Sequence, residues 1–151
     1  MTPDYFARLL DEAYEKSAWH GANLRGSLRG LTPQEALWRP GQGRHNIWEL
    51  ALHCAYWKYA VRRRLTGEKR GSFPRKGSNW FYADEPSDKL WRDDLRLLSQ
   101  QHRALRAAVA RTPANHLRTM ARLIHGVAFH DIYHAGQIQL IKKLQTQKVN
   151  G

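Results

Sequence analysis

The chain contains eight histidines, and the first question is which of them can share a face. His130 and His134 stand four residues apart, so on a helix they project from successive turns with Cβ atoms roughly 5 to 6 Å apart. Two imidazoles at that spacing can bind one ion, and they are equally compatible with packing as core histidines. Two imidazoles seldom hold a divalent ion, because catalytic sites commonly use about three protein groups and keep a position open. The best third candidate is His53, which lies beside Leu50, Cys54 and Trp57 at mid-length of another helical pattern. A facing helix there could bring His130 and His134 within coordinating reach.

The other histidines read differently. His125 is rotated by about 140° from His130 on a regular helix and points away from that face. His45 precedes the cap of its helix and His116 sits in a link, which predicts exposure for both. His102, between Leu98 and Leu105, and His20, three residues past Ser17, read as core histidines with hydrogen-bonded partners, since neither has a second histidine at helical spacing.

Neutral imidazole ligands leave the double charge of a metal ion uncancelled and a position open for water, a thiolate or a substrate oxygen. A metal such as zinc brings the pKa of bound water to about 7 and would stabilise a thiolate nucleophile, so hydrolysis and thiol transfer are both feasible. Zinc or nickel is the first expectation for this one divalent ion, with iron, manganese or copper as alternatives, because imidazoles discriminate poorly among them.

Two side chains are weak catalytic candidates. Glu49, four residues before His53, could lean over the metal as a general base, but its position three after Asn46 favours a capping-box role. Gln137 follows the ligand face and could bind substrate or hold helices together. Asp131, turned by about 100° from His130, should contact another helix. Tyr56 and Trp57 could line a pocket, although aromatic residues at helical spacing are more often core. Trp80 could cover the metal as a lid. Cys54 lies in an apolar stripe, where a free thiol behaves as a small hydrophobe rather than a nucleophile.

The elements that would position these residues are helical. Thr2 can cap a first helix that starts at Pro3 and runs to about Leu24 through Phe6, Leu9, Leu10, Ala13 and Ser17. Thr32-Pro33-Gln34-Glu35 predicts one short connector helix before Pro40. A second long helix runs from a cap at Asn46 to a stop at Gly67. The stretch from Glu68 to Pro86 reads as a long loop. Ser87 caps a third helix that ends at Thr112-Pro113. The last begins between Asn115 and Met120 and ends near Leu144, with His130 and His134 where its apolar period calls for core residues. The expected architecture is all-α: a single domain over 1–151, a four-helix bundle with a short connector helix and a long central loop.

Composition sets the outer limits. A chain of 151 residues with one cysteine can bury a core without disulfides, and a reducing compartment, the cytoplasm, is expected. The N-terminus has no basic head followed by an apolar stretch, and no segment reaches the roughly 18 apolar residues of a membrane span, so a soluble, non-exported protein with no membrane partner is expected. The formal charge of +12 comes from 25 Lys and Arg against 13 Asp and Glu. That imbalance identifies affinity for polyanions rather than a function, and with no zinc finger, RNA-binding aromatic motif or clear helix-turn-helix, nucleic acid is not expected as the main partner.

The sequence resembles the DinB-like family of helical bundles, which includes the YfiT-like proteins. The likeness lies in Trp48-Glu49-Leu50-Ala51-Leu52-His53-Cys54-Ala55-Tyr56-Trp57 and in His130-Asp131-Ile132-Tyr133-His134-Ala135-Gly136-Gln137-Ile138, supported by Leu28-Arg29-Gly30-Leu31-Thr32, Trp38-Arg39-Pro40, the Arg64 to Glu68 helix ending and Asn79-Trp80. The resemblance implies a four-helix bundle whose metal is bound by His53 of the second long helix and His130 and His134 of the last. Members are commonly homodimers. Characterised relatives include transferases and isomerases that use low-molecular-weight thiols, while many others are described only as metal-dependent hydrolases. The resulting expectation is a metal-dependent enzyme of the hydrolase or low-molecular-weight-thiol S-transferase kind, acting on a small molecule. The alternative is a non-catalytic DNA-damage or stress-response protein with a structural metal and a basic binding surface. A carboxylate-bridged di-iron bundle would need repeated Glu-x-x-His pairs, which the sequence lacks.

Overall fold

The computed structural model describes residues 2–149, and among them no strand occurs. Helix α1 (Pro3–Tyr14) opens on Thr2, whose hydroxyl accepts from the Tyr5 N–H, with proline in the first turn where no backbone donor is needed. Two short helices follow, α2 (Leu24–Leu28) and α3 (Pro33–Leu37), the latter with a complete capping box between Thr32 and Glu35. Helix α4 (Ile47–Thr66) runs from an Asn46 cap to Gly67, which takes the left-handed conformation at φ 75° that glycine adopts without strain. Helix α5 (Asp88–Arg111) starts on Ser87, and α6 (Ala114–Val149) begins directly after the Thr112-Pro113 break.

The four long helices close a ring: α4 packs on α5 and α6, and α1 packs on the same two. Helix α2 lies against α6 and α3 against α4. No helix among the described residues is long and apolar enough to cross a membrane.

The first helix is shorter than its sequence pattern suggests. It stops at Tyr14 rather than near Leu24, and the Glu15 and Lys16 N–H groups both return to the Asp11 carbonyl at 2.8 Å. Beyond it Gly21 sits at φ 94°, and Asn23 starts a separate helix by accepting from the Gly26 N–H at 2.8 Å. His20 therefore lies exposed in a turn, not in the core.

The core is split in two. One apolar cluster joins Ile47 to Ala55 of α4 with Leu97, Leu98, Ile138 and Ile141, and the other joins Phe6 and Leu10 with Val61, Leu105, Ile124 and Val127. Between them runs a belt of buried polar groups drawn from all four long helices: Asp11, His53, Lys58, His102, Asp131 and His134. Burying such groups is unfavourable unless each finds a partner, so the belt is where the fold gives up apolar packing for chemistry.

Candidate metal centre

Helices α4 and α6 cross this belt side by side, and their histidines meet there. His130 Nε2 lies 2.9 Å from His53 Nε2 and 3.0 Å from His134 Nε2. The trio forms a group whose ligand atoms all lie within 4.8 Å of one another. A tetrahedral ion with Zn–N bonds of roughly 2.0 to 2.1 Å needs its nitrogens roughly 3.3 Å apart, so small side-chain adjustments suffice to seat one.

The far ring nitrogens decide which lone pairs face inward. His53 Nδ1 donates to the Asn79 carbonyl at 2.8 Å, and His134 Nδ1 donates to Gln137 Oε1 at 2.6 Å. With protons held on those sides, both Nε2 atoms present lone pairs to the centre, the arrangement that second-shell acceptors impose on metal-binding imidazoles. His130 Nδ1 is buried with no hydrogen-bond partner among the described residues. Burial pushes the His53 pKa down to about 4 and that of His130 down to about 3, and lowers that of His134 as well. All three are neutral at pH 7, which is the protonation state a metal requires. The donor set fits a divalent ion.

Asn79 reaches His53 from the long loop in an unusual way. It is the one non-glycine residue with positive φ among those described, at 67°, a conformation asparagine tolerates better than most residues. Its carbonyl takes the His53 proton while its Oδ1 accepts from Trp57 Nε1 at 3.0 Å. The next residue, Trp80, stacks in parallel on the His53 ring at 3.9 Å and on the His45 ring at 3.5 Å. It thus covers one face of the His53 ring.

Glu49 and His45 depart from the sequence reading. The Asn46 side chain accepts from the Glu49 N–H at 2.9 Å, but the Glu49 carboxylate does not complete the capping box. It pairs with both Arg39 nitrogens, and His45 Nδ1 donates to it at 2.8 Å. His45 was expected to be free in solvent, and the stacking on Trp80 and the bond to Glu49 draw it into the site instead. His45, Glu49 and His53 follow one another at intervals of four, a spacing that signalled the row, although His45 precedes the helix and helical spacing is not normally applied there.

A cavity of about 620 Å³ opens on this side, lined by His45, Leu50, Trp80, Tyr133, His134 and Gln137, with Leu140 and Ile141 beyond. The remaining predicted positions lie elsewhere. Asp131 faces α4 and forms a wholly buried ion pair with Lys58, whose Nζ also lies 4.9 Å from the Tyr14 ring centroid. Burial raises the Asp131 pKa to about 6 against the pull of Lys58. His102 is buried on α5, stacked on Tyr14 at 4.1 Å with Nε2 3.3 Å from Asp11 Oδ1. His116 is half-buried in the first turn of α6, with Nε2 3.2 Å from the Leu65 carbonyl, rather than exposed in a link. His125 bonds the Ala121 carbonyl and Tyr5, away from the centre. Burial raises the Cys54 thiol pKa well above its ordinary value, so no thiolate forms there at neutral pH.

The family profile described as the DinB superfamily matches residues 18–138. That span contains α4, α5, Trp80, the three histidines and Gln137. No curated protein and no solved structure matches the chain.

Proposed function

The chain belongs to the DinB superfamily, and on that premise we propose that it is a metal-dependent enzyme of the hydrolase or low-molecular-weight-thiol S-transferase kind. Its ligands are His53, His130 and His134. The observation that carries this reading is the convergence of three neutral imidazoles within 3.0 Å steps beside a cavity that His134 helps to line. A bound divalent ion, zinc or nickel first, would supply Lewis acidity and an open position for water or a thiolate. A purely structural site has no need of an opening to solvent, and this favours catalysis over the stress-response alternative.

The chain's own groups have distinct tasks. Gln137 holds the His134 tautomer, and Asn79 holds that of His53. Trp80 shields the His53 face from water. Leu50, Leu140 and Ile141 offer an apolar wall for the non-reacting part of a small substrate. His45, with its Nδ1 proton held by Glu49, can accept a proton at Nε2 from a nucleophile in the cavity or return one to a leaving group. Arg39 anchors that carboxylate and also donates to the Arg44 carbonyl at 2.6 Å, fixing the segment that carries His45. Glu49 is thereby a positioning residue rather than the base itself.

A homodimer is part of the same reading. Phe129, Tyr133, Leu140 and Leu144 are exposed on α6 and fall within about 60° of one another around a regular helix, an apolar stripe suited to a second copy. The single buried thiol of Cys54 suits a reducing compartment such as the cytoplasm. The test of function is turnover of activated esters against transfer of a low-molecular-weight thiol to an electrophile, each measured with the native chain and with His134→Ala. Activity in one assay that the variant abolishes supports the reading. Equal rates for both proteins, or none with any metal added, would defeat it.

A further inference from the structure

The loop that follows α4 folds back on the helix it leaves and bounds a second cavity of about 500 Å³, separate from the one beside His134. Five cationic side chains line it: Arg63 and Arg64 from the last turns of α4, and Arg70, Arg75 and Lys76 from the loop. No carboxylate lines it among the described residues. Arg75 is paired with Asp94. Arg63, Arg64, Arg70 and Lys76 enter no ion pair among the described residues.

Two explanations for such a cluster fall short. Basic residues at a helix C-terminus offset its dipole, which accounts for Arg63 and Arg64 but not for Arg70 or Lys76. Loop anchoring accounts for Arg75, paired with Asp94 of α5, and for Arg63, which donates to the Glu68 carbonyl at 3.4 Å, but not for Arg64, Arg70 or Lys76. The Gly71 N–H donates to the Tyr59 hydroxyl at 3.2 Å, and the Phe73 ring packs at 5.4 Å on both Tyr56 and Tyr59 and at 5.1 Å on Phe81. Aromatic contacts set the loop's path, and the cations are left gathered in a concavity where like charges raise one another's energy until an anion enters.

The remaining wall is aromatic, made by Tyr56, Trp57, Tyr59 and Phe73. Guanidinium forks suit phosphate oxygens, and aromatic faces accept a stacked base regardless of its identity. The volume lies within the roughly 300 to 1,000 Å³ of small-molecule sites, which is too confined for a duplex. We propose that this cavity binds a nucleotide, its phosphates against Arg64, Arg70 and Lys76 and its base against the aromatic wall. Trp57 is shared between the two sites: its ring centroid lies 6.3 Å from those of His53 and His130, so an occupant here would touch the support of the histidine centre.

Isothermal titration calorimetry of the full chain at low ionic strength tests this with ATP, adenosine and inorganic tripolyphosphate. The expected result is about one ATP per chain, bound at least tenfold more tightly than adenosine or tripolyphosphate and weakening as salt rises. An Arg64→Ala, Arg70→Ala, Lys76→Ala variant should lose at least tenfold in affinity with its thermal midpoint unchanged, while Arg103→Ala, a cation of α5 outside the cavity, should bind ATP as the native chain does. Absence of binding, equal affinity for tripolyphosphate, or full binding by the triple variant each overturns the proposal. So does preferential binding of DNA with a stoichiometry that grows with oligonucleotide length, which would mark an unspecific basic surface.

Discussion

His45 and His102 are each held by a carboxylate, yet their surroundings give them opposite roles. His45 is half-exposed at a cavity mouth with Glu49 on one ring nitrogen, and the proposed function gives its other nitrogen the task of exchanging protons with a substrate. Replacing it as His45→Gln keeps a donor toward Glu49 but removes the proton carrier, and kcat should fall by roughly 10² to 10⁴-fold, the usual contribution of a general acid or base, with metal content unchanged. Unchanged kcat would assign the dyad to structure alone. His102 is sealed in the belt, and burial, with Lys58 and Arg106 nearby, pushes its pKa down to about 2. Its contact with Asp11 is accordingly that of a neutral imidazole. Because the unfolded chain binds a proton near pH 6.5 that the folded chain refuses, the native state is fully favoured above that pH and loses up to about 1.4 kcal/mol per unit as pH falls below it. Urea unfolding between pH 7 and pH 4 should therefore show a shallower decline for His102→Gln than for the native chain.

At the scale of elements, α4 and α6 are held in register by the Lys58–Asp131 pair, wholly buried one turn from the histidines. Such a pair adds little net stability over apolar packing but is strongly unfavourable to break, so Asp131→Ala should destabilise the fold by about 3 to 5 kcal/mol, whereas Lys58→Met combined with Asp131→Leu should recover most of it. Denaturant midpoints measure both; a mild Asp131→Ala would mean the pair does not set the register. The bounds of α4 and α5 were legible because Asn46, Gly67, Ser87 and Thr112-Pro113 carry their own stop and start chemistry. The end of α1 was not. Ser17 and His20 continue its period on paper, while the bonds that end it, from Glu15 and Lys16 to Asp11 and from Asn23 to the Lys16 carbonyl, depend on a turn that has no comparable signature. Helical spacing paired His130 with His134, the mid-helix place of His53 beside Leu50, Cys54 and Trp57 made it the best third candidate, and the resemblance joined the three. The supports from Asn79, Arg39 and His45 arrive from loops, where periodicity says nothing about which atoms will meet.

Over the whole molecule, two apolar clusters are separated by one polar layer, and the candidate centre occupies the edge of that layer where α4 and α6 open toward solvent. Apolar patterning could forecast the bundle because both clusters obey it, but it could not forecast the layer between them, which is built from exceptions to it. The histidine exceptions among them are explained together if that edge exists to hold an ion. Elemental analysis of protein purified without a histidine tag tests this most directly: the account predicts about one divalent metal per chain, lost in a His53→Ala, His130→Ala, His134→Ala variant that remains folded. Metal-free native protein after exposure to zinc and nickel, or metal retained by the triple variant, would contradict it.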